Sequence, residues 1–293
     1  MSEREAGKIY DLGYQRYEGA RLGRGHAVWV LYRESLRSAF GLGRRAAAKI
    51  APAILAIIAI IPAVLQVLVG VFGGGEGMEV ARHDEYYTLI FVVLVLNVAI
   101  IAPDIVGRDQ RNRTLSLYFT RAISRADYVL AKFLALVSAM LLVTLVPQLV
   151  MFVGNAFVAD SFTDHAVDNL DQIAPIVAAA VLGSALIASI GAAVAAQTPQ
   201  RVLATVGIIA AFLLPHVVAN ALVESIDSLS ARLAIFISPV ALIDGFTSWM
   251  FRVEPERVVL MADFALETYA LGAVALAGIC YAILLRRYLQ VAP

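Results

Sequence analysis

The chain has 293 residues, 60% of them hydrophobic, a mean hydropathy of +0.79 and a formal net charge of zero. This composition excludes an ordinary soluble domain and reads as an all-α polytopic membrane protein. The balance of 23 Lys/Arg against 23 Asp/Glu also excludes the global field of a nucleic-acid binder, so the information lies in where the charges sit.

Residues 1–25 are polar and charged, without the apolar core of a secretory signal, so the amino terminus is expected in the cytoplasm. From His26 to Lys49, Trp29, Tyr32, Leu36 and Phe40 recur at helical spacing, with Arg33, Arg37, Arg44 and Arg45 largely elsewhere around the helix. That pattern predicts either an interfacial helix on the cytoplasmic leaflet, drawn by anionic lipid, or an amphipathic helix packed on protein. Residues 1–49 are thus read as a cytoplasmic leader and interfacial helix, and 50–293 as a membrane domain.

Six apolar runs long enough to cross a bilayer are predicted at about 50–72, 86–106, 133–158, 173–197, 202–221 and 264–285. Pro52 and Pro62 are expected to kink the first span without ending it. Tyr86 and Tyr87 are expected at headgroup level, and Asp104 is expected to snorkel or cap at the end of the second span. After the third span, Asp160, Asp164, Asp168 and Asp171 occur without Lys/Arg, either as a solvated external face or as a gatherer of cations. The fourth span carries Ala180, Ser184, Ala188, Ala192 and Ala196 at four-residue spacing, a ridge that permits close helix approach. Residues 233–251 are apolar but interrupted by Pro239, Asp244 and Gly245, and are read as a re-entrant or interfacial hairpin outside, anchored by Trp249 and Phe251. A seventh crossing would carry Arg286 and Arg287 outside, whereas six spans leave only Arg82, Arg232, Arg252 and Arg257 there. Both termini are then cytoplasmic, in a bacterial or archaeal plasma membrane.

The insert between the second and third spans holds Arg108, Arg111, Arg113, Arg121, Arg125 and Lys132. Asn112 can cap a short helix with Leu115, Tyr118 and Phe119 on one face, and Ser124 with Asp127 has the capping pattern that opens the next helix. The run RTLSLYFTRAISRADYVLAK resembles the loop after the second span in permease subunits of ABC type-2 (type V) exporters. The resemblance covers the whole chain in layout and this loop in residues; where the family commonly has Gly and Pro, this chain has Arg113 and Ala122. The segment YDLGYQRYEGARLG likewise resembles the leader of many bacterial exporter permeases, the alternative being a disordered tail. The resemblance implies a coupling helix seated on a separate ABC ATPase subunit. It assigns ATPase coupling to Arg108, Asp109, Arg111, Thr114, Leu115, Tyr118, Phe119, Arg121, Ser124, Arg125 and Asp127. It also implies a second permease copy or paralogue, and outward transport. The alternative is a solvated basic loop that only fixes topology.

The sole cysteine, Cys280, excludes an internal disulfide, and His26, His83, His165 and His216 lack metal-ligand spacing. Gly7-Lys8 is followed by Ile9, so a phosphate-binding loop is missing; no cofactor is expected in this chain, and ATP and Mg belong to the partner ATPase. No metalloprotease or nucleophile-elbow pattern occurs. The expected partners are ATPase subunits, the second permease and membrane lipids, with no nucleic acid. Along the spans, Asn97, Gln148, Asn155, His216 and Asn220 are candidates for a substrate path, and no charge lies near a midplane. A charged solute would shed water there without compensation, so a hydrophobic or amphiphilic cargo is expected. Two other readings are a proton-driven secondary transporter in which His216 is essential, and a subunit relaying hydrolysis to an external enzyme through residues 222–262.

Overall fold

The computed structural model describes residues 19, 22–44, 46–72, 82–112, 114, 115, 118, 123–159, 161–226 and 228–290. The structure is 84% helical, with no strand among the described residues, as expected of a chain whose backbone polar groups must pair within each span. Six helices are long and apolar enough to cross a membrane: α2 (Ala47–Phe72), α3 (Tyr86–Ile105), α5 (Arg125–Val158), α7 (Ile173–Ala195), α8 (Arg201–Ser225) and α12 (Glu267–Leu289). The shorter elements are α1 (Arg24–Ala39), α4 (Arg108–Arg111), α6 (Phe162–Asp168), α9 (Leu229–Leu233), α10 (Pro239–Phe251) and α11 (Arg257–Ala262). Most of the amino-terminal leader and of the loop after α2 lies outside the described residues, as do Arg113, Phe119, Arg121 and Asp160.

The spans α3 and α7 are the most enclosed, and α2, α8 and α12 are the outermost. The small-residue ridge explains the position of α7: Ala180, Ser184, Ala188, Ala192 and Ala196 are all fully buried, and α7 packs on α3, α5, α8, α10 and α12. Ser184 and Thr144 of α5 join their hydroxyls at 3.0 Å across this contact. Two outer helices, α2 and α8, flank α3 and leave Leu89, Val92 and Leu96 exposed as an apolar stripe. Helix α2 runs through Pro52 and Pro62 without a break.

One end of the bundle gathers α1, α4, the starts of α5 and α8 and the last turn of α12, and is called the basic end below. Here α1 packs on α5 and α3 through a stripe of Leu31, Ser35 and Ala39, one position away from the face expected from its aromatics. Trp29 stays exposed and stacks on Tyr32, whose hydroxyl meets Ser138 Oγ at 2.9 Å. The helix therefore lies on protein with only its outer side free, because the small Ser35 and Ala39 admit α5 closely. The turn from α1 to α2 uses Gly41 at φ +67°, where a Cβ would sit 2.6 Å from the Ala48 carbonyl oxygen.

The opposite end corrects two expectations. Tyr86 and Tyr87 do not face the headgroups: both are buried, and the Tyr86 hydroxyl donates to the Ala59 carbonyl at 3.1 Å. The interrupted segment breaks at Ser238, next to Pro239 where one interruption was expected, whereas Asp244 and Gly245 lie within α10. Ser238 ends a short 3-10 turn (Ala234–Ile237) and caps α10 by accepting from Ala241 N–H, with Pro239 as first helical residue and a bend of 89° between the two arms.

Since α8 leaves the basic end and α12 returns to it, residues 226–266 begin and finish at the opposite end. The hairpin nevertheless dips inward. His216 Nδ1 meets Ser238 Oγ at 3.1 Å, nine residues before the end of α8, or about 13 Å below it at 1.5 Å per residue. Gly245 permits this depth, because a Cβ there would lie 2.3 Å from the Tyr269 ring of α12. The two arms of this bent pair form a hairpin that packs against α8 and α12. Asp164, Asp168 and Asp171 are exposed beside it, and no group of residues capable of holding a metal ion occurs among the described residues.

Candidate functional site

The site is built where α3 ends. Ser124 accepts from Asp127 N–H at 3.2 Å while the Asp127 carboxylate accepts from Ser124 N–H at 3.0 Å, a reciprocal cap that starts α5 eight residues before its apolar run. That early start places Tyr128 and Lys132 beside the end of α3. Asp109, on the one-turn helix α4, is only 8% exposed, and Lys132 only 9%. Their charges pair at 2.9 Å, and the Tyr128 hydroxyl donates to the same Asp109 oxygen at 2.6 Å. Lys132 Nζ also lies 5.5 Å from the centre of the Tyr128 ring.

Around this pair the basic end is tied together helix by helix. The Tyr288 hydroxyl donates to the Val106 carbonyl at 2.7 Å, and Arg125 donates to the Leu289 carbonyl at 2.8 Å, joining α12 to α3 and α5. Gln110 and Arg287 each donate to the Ala196 carbonyl at 3.4 Å, one from α4 and one from α12. Arg24 of α1 grips Asp127 with two nitrogens, at 2.7 and 2.8 Å, and Ser124 Oγ at 3.3 Å. Asp104 takes Arg44 at 2.8 Å, Arg111 at 3.4 Å and Arg201 at 3.6 Å. This carboxylate is therefore an ion-pair hub for the α1–α2 turn, α4 and α8, a stronger role than the snorkelling or capping expected.

Of the residues assigned to coupling, Arg108, Asp109, Arg111, Thr114, Leu115, Tyr118, Ser124, Arg125 and Asp127 stand together here; Phe119 and Arg121 lie outside the described residues. Asn112 ends α4, and Leu115 and Tyr118 beyond it are helical, as expected of the short helix there. Leu115 is buried in the main core and Tyr118 rests on Tyr128, ring centres 5.4 Å apart, so the apolar side of this segment attaches it to its own bundle. Arg108 remains exposed. Thr114 folds back on the Asp109 carbonyl with both its N–H, at 3.0 Å, and its hydroxyl, at 3.4 Å. Sequence reasoning left Lys132, Tyr128, Tyr288 and Arg24 out of the site. The available signal was Lys132, a charge one turn before a long apolar run that demands a nearby carboxylate.

The five path candidates do not share a cavity. Asn97 is fully buried in α3 with neither amide atom bonded. Gln148 accepts from His83 Nδ1 at 2.7 Å, and Asn155 lines a neighbouring polar hollow of about 480 Å³ with Gln66 and His165. His216 and Asn220 form a chain in which the Asn220 amide donates to His216 Nε2 at 3.3 Å and His216 donates on to Ser238. This chain holds the bent hairpin to α8.

Six helices long and apolar enough to cross a membrane point to a multi-pass membrane protein. Residues 83–285 match the family described as ABC-2 family transporter protein, and the chain belongs to that family. It is a membrane subunit that is not itself the ATPase. No curated protein matches the chain significantly.

Proposed function

We propose that this chain is the permease of an ATP-driven exporter, with the basic end in the cytoplasm and a separate ABC ATPase subunit seated against α4 and the start of α5. The observation that carries the reading is the buried Asp109–Lys132 pair. It welds the turn after α3 to the long helix α5, so a push on that turn moves two spans as one body. The Arg24–Asp127 fork extends the same body to α1. A second permease, identical or paralogous, covers the apolar face of α3 between α2 and α8, and cargo moves outward along that seam. The seam offers Leu89, Val92 and Leu96 and no charge, which suits a hydrophobic or amphiphilic compound.

The test is the purified chain with the ATPase that accompanies it. Amphiphiles should change ATP turnover at about micromolar levels, as expected for an apolar cleft, while sodium or potassium at constant ionic strength should not. Arg108→Glu, at an exposed position, should release the ATPase without unfolding the permease. Ion-dependent turnover with indifference to amphiphiles would refute the cargo. Undiminished ATPase binding by Arg108→Glu would refute the docking site.

A further inference from the structure

Behind Asp104 lies a cavity of about 530 Å³, lined in part by Arg108 and Arg111 of the coupling segment. Its floor is polar: Arg44, Arg108, Arg111, Arg201 and Asn112 line it with Asp104, and three of the four guanidinium groups pair with that one carboxylate. Its wall is apolar, made by Ala48 and Pro52 at the start of α2 and Ile100 and Ile101 near the end of α3. Arg44 gives one nitrogen to Asp104, and its buried Nε and Nη2 have no acceptor among the described residues. Excess cations at the boundary of a low-dielectric region are costly without a counter-ion, and guanidinium forks fit phosphate oxygens. Basic pockets between the ends of membrane helices are the places where phosphate headgroups settle. Above this pocket Ile100 continues upward into Leu96, Val92 and Leu89, the stripe left open on α3, so an apolar chain has a surface to follow.

We infer that the cavity bounded by Arg44, Arg111 and Arg201 binds the phosphate of an anionic amphiphile, with its apolar part against α2 and α3. The chemistry recognised is a phosphate monoanion or diester. A membrane phospholipid and free phosphate both carry it, and the apolar wall favours the lipid. The site is independent of export, because binding is read on the purified chain without any ATPase.

The test is native mass spectrometry of the full chain in detergent with phosphatidylglycerol and phosphatidylcholine supplied in equal amounts. Phosphatidylglycerol should be retained several-fold over phosphatidylcholine, and Arg201→Gln should lower its retention roughly fivefold, the value of one arginine near an anionic headgroup. Arg201 is 55% exposed on its side chain and this variant keeps the fold; Arg111→Gln should act in the same direction. The double variant Arg33→Gln/Arg37→Gln removes two exposed arginines from α1, outside the cavity, and should leave retention unchanged. Inorganic phosphate at millimolar concentration separates the sources: displacement of the lipid shows that the headgroup alone suffices, and no displacement shows that the apolar wall contributes. Equal retention of the two lipids, or equal loss in the α1 double variant, would overturn the site.

Discussion

Lys132→Met should be among the most destabilising single substitutions at the basic end. Lys132 and Asp109 are both more than nine-tenths buried and 2.9 Å apart, so removing the ammonium leaves a carboxylate whose remaining side-chain partner, among the described residues, is the Tyr128 hydroxyl. Breaking a buried pair from one side costs about 3–5 kcal/mol. At roughly 2–4 °C per kcal/mol for a large domain, the unfolding midpoint in detergent should fall by about 6–20 °C. The double variant Asp109→Asn/Lys132→Met leaves no uncompensated charge and should recover most of that loss, because buried pairs replaced as a unit are often near neutral. Thermal unfolding of the four proteins closes a double-mutant cycle. Additive losses, with the double variant worse than either single one, would refute the claim that this pair is what joins the turn to α5.

The remaining expectations use the same chain. Arg24→Gln breaks a bidentate but exposed contact and should lower the unfolding midpoint much less than Lys132→Met does; equal effects would show that burial is not the deciding factor. Gly245→Ala drives a methyl onto the Tyr269 ring and should cost about 1–3 kcal/mol by overpacking, with Trp249 fluorescence shifting as the hairpin is pushed outward; an unchanged spectrum and midpoint would show that the hairpin is not seated there. In a Cys280→Ala background, cysteines at Ser228 and Arg257 should both react with an impermeant thiol reagent from one side only, and opposite-side reaction would make the hairpin a seventh span. Burial holds the His83 imidazole below its ordinary value of about 6.5, against a smaller opposing effect of its Gln148 bond. The unfolded chain then binds the proton first, so this contribution is complete above about pH 6.5 and is lost as pH falls through the lower native value. His83→Gln should flatten that acid limb of the stability profile, and an identical limb would assign it to other groups.

The spans were legible because each is a run of apolar residues too long for any other use, and the ridge from Ala180 to Ala196 revealed one of the two most enclosed of them. The start of α5 was equally readable, since Ser124 and Asp127 satisfy each other locally and owe nothing to distant residues. What depended on partners far along the chain was not. The aromatics of α1 pointed to one face, but the buried face is chosen by how closely Ser35 and Ala39 let α5 approach. Tyr86 and Tyr87 have the composition of interfacial anchors, and only the pocket formed by α2 and α7 draws them inside. Asp104 could be placed near a helix end but not given three arginines, because Arg44, Arg111 and Arg201 come from three separate segments.

The latch between Tyr288 and Val106 joins residues 182 apart, while Asp109 and Lys132 come from neighbouring helices. During synthesis these two fastenings therefore close at different times. The charged pair can form once α5 has entered the membrane, which lets Lys132 be inserted already neutralised. The latch must wait for α12, roughly 10–30 seconds later at ordinary translation rates. Throughout that interval the Val106 carbonyl and the ring of Tyr128 lack their cover from the last span. The basic end is thus complete only when the final helix arrives, and until then one carbonyl and one ring at that end stand open.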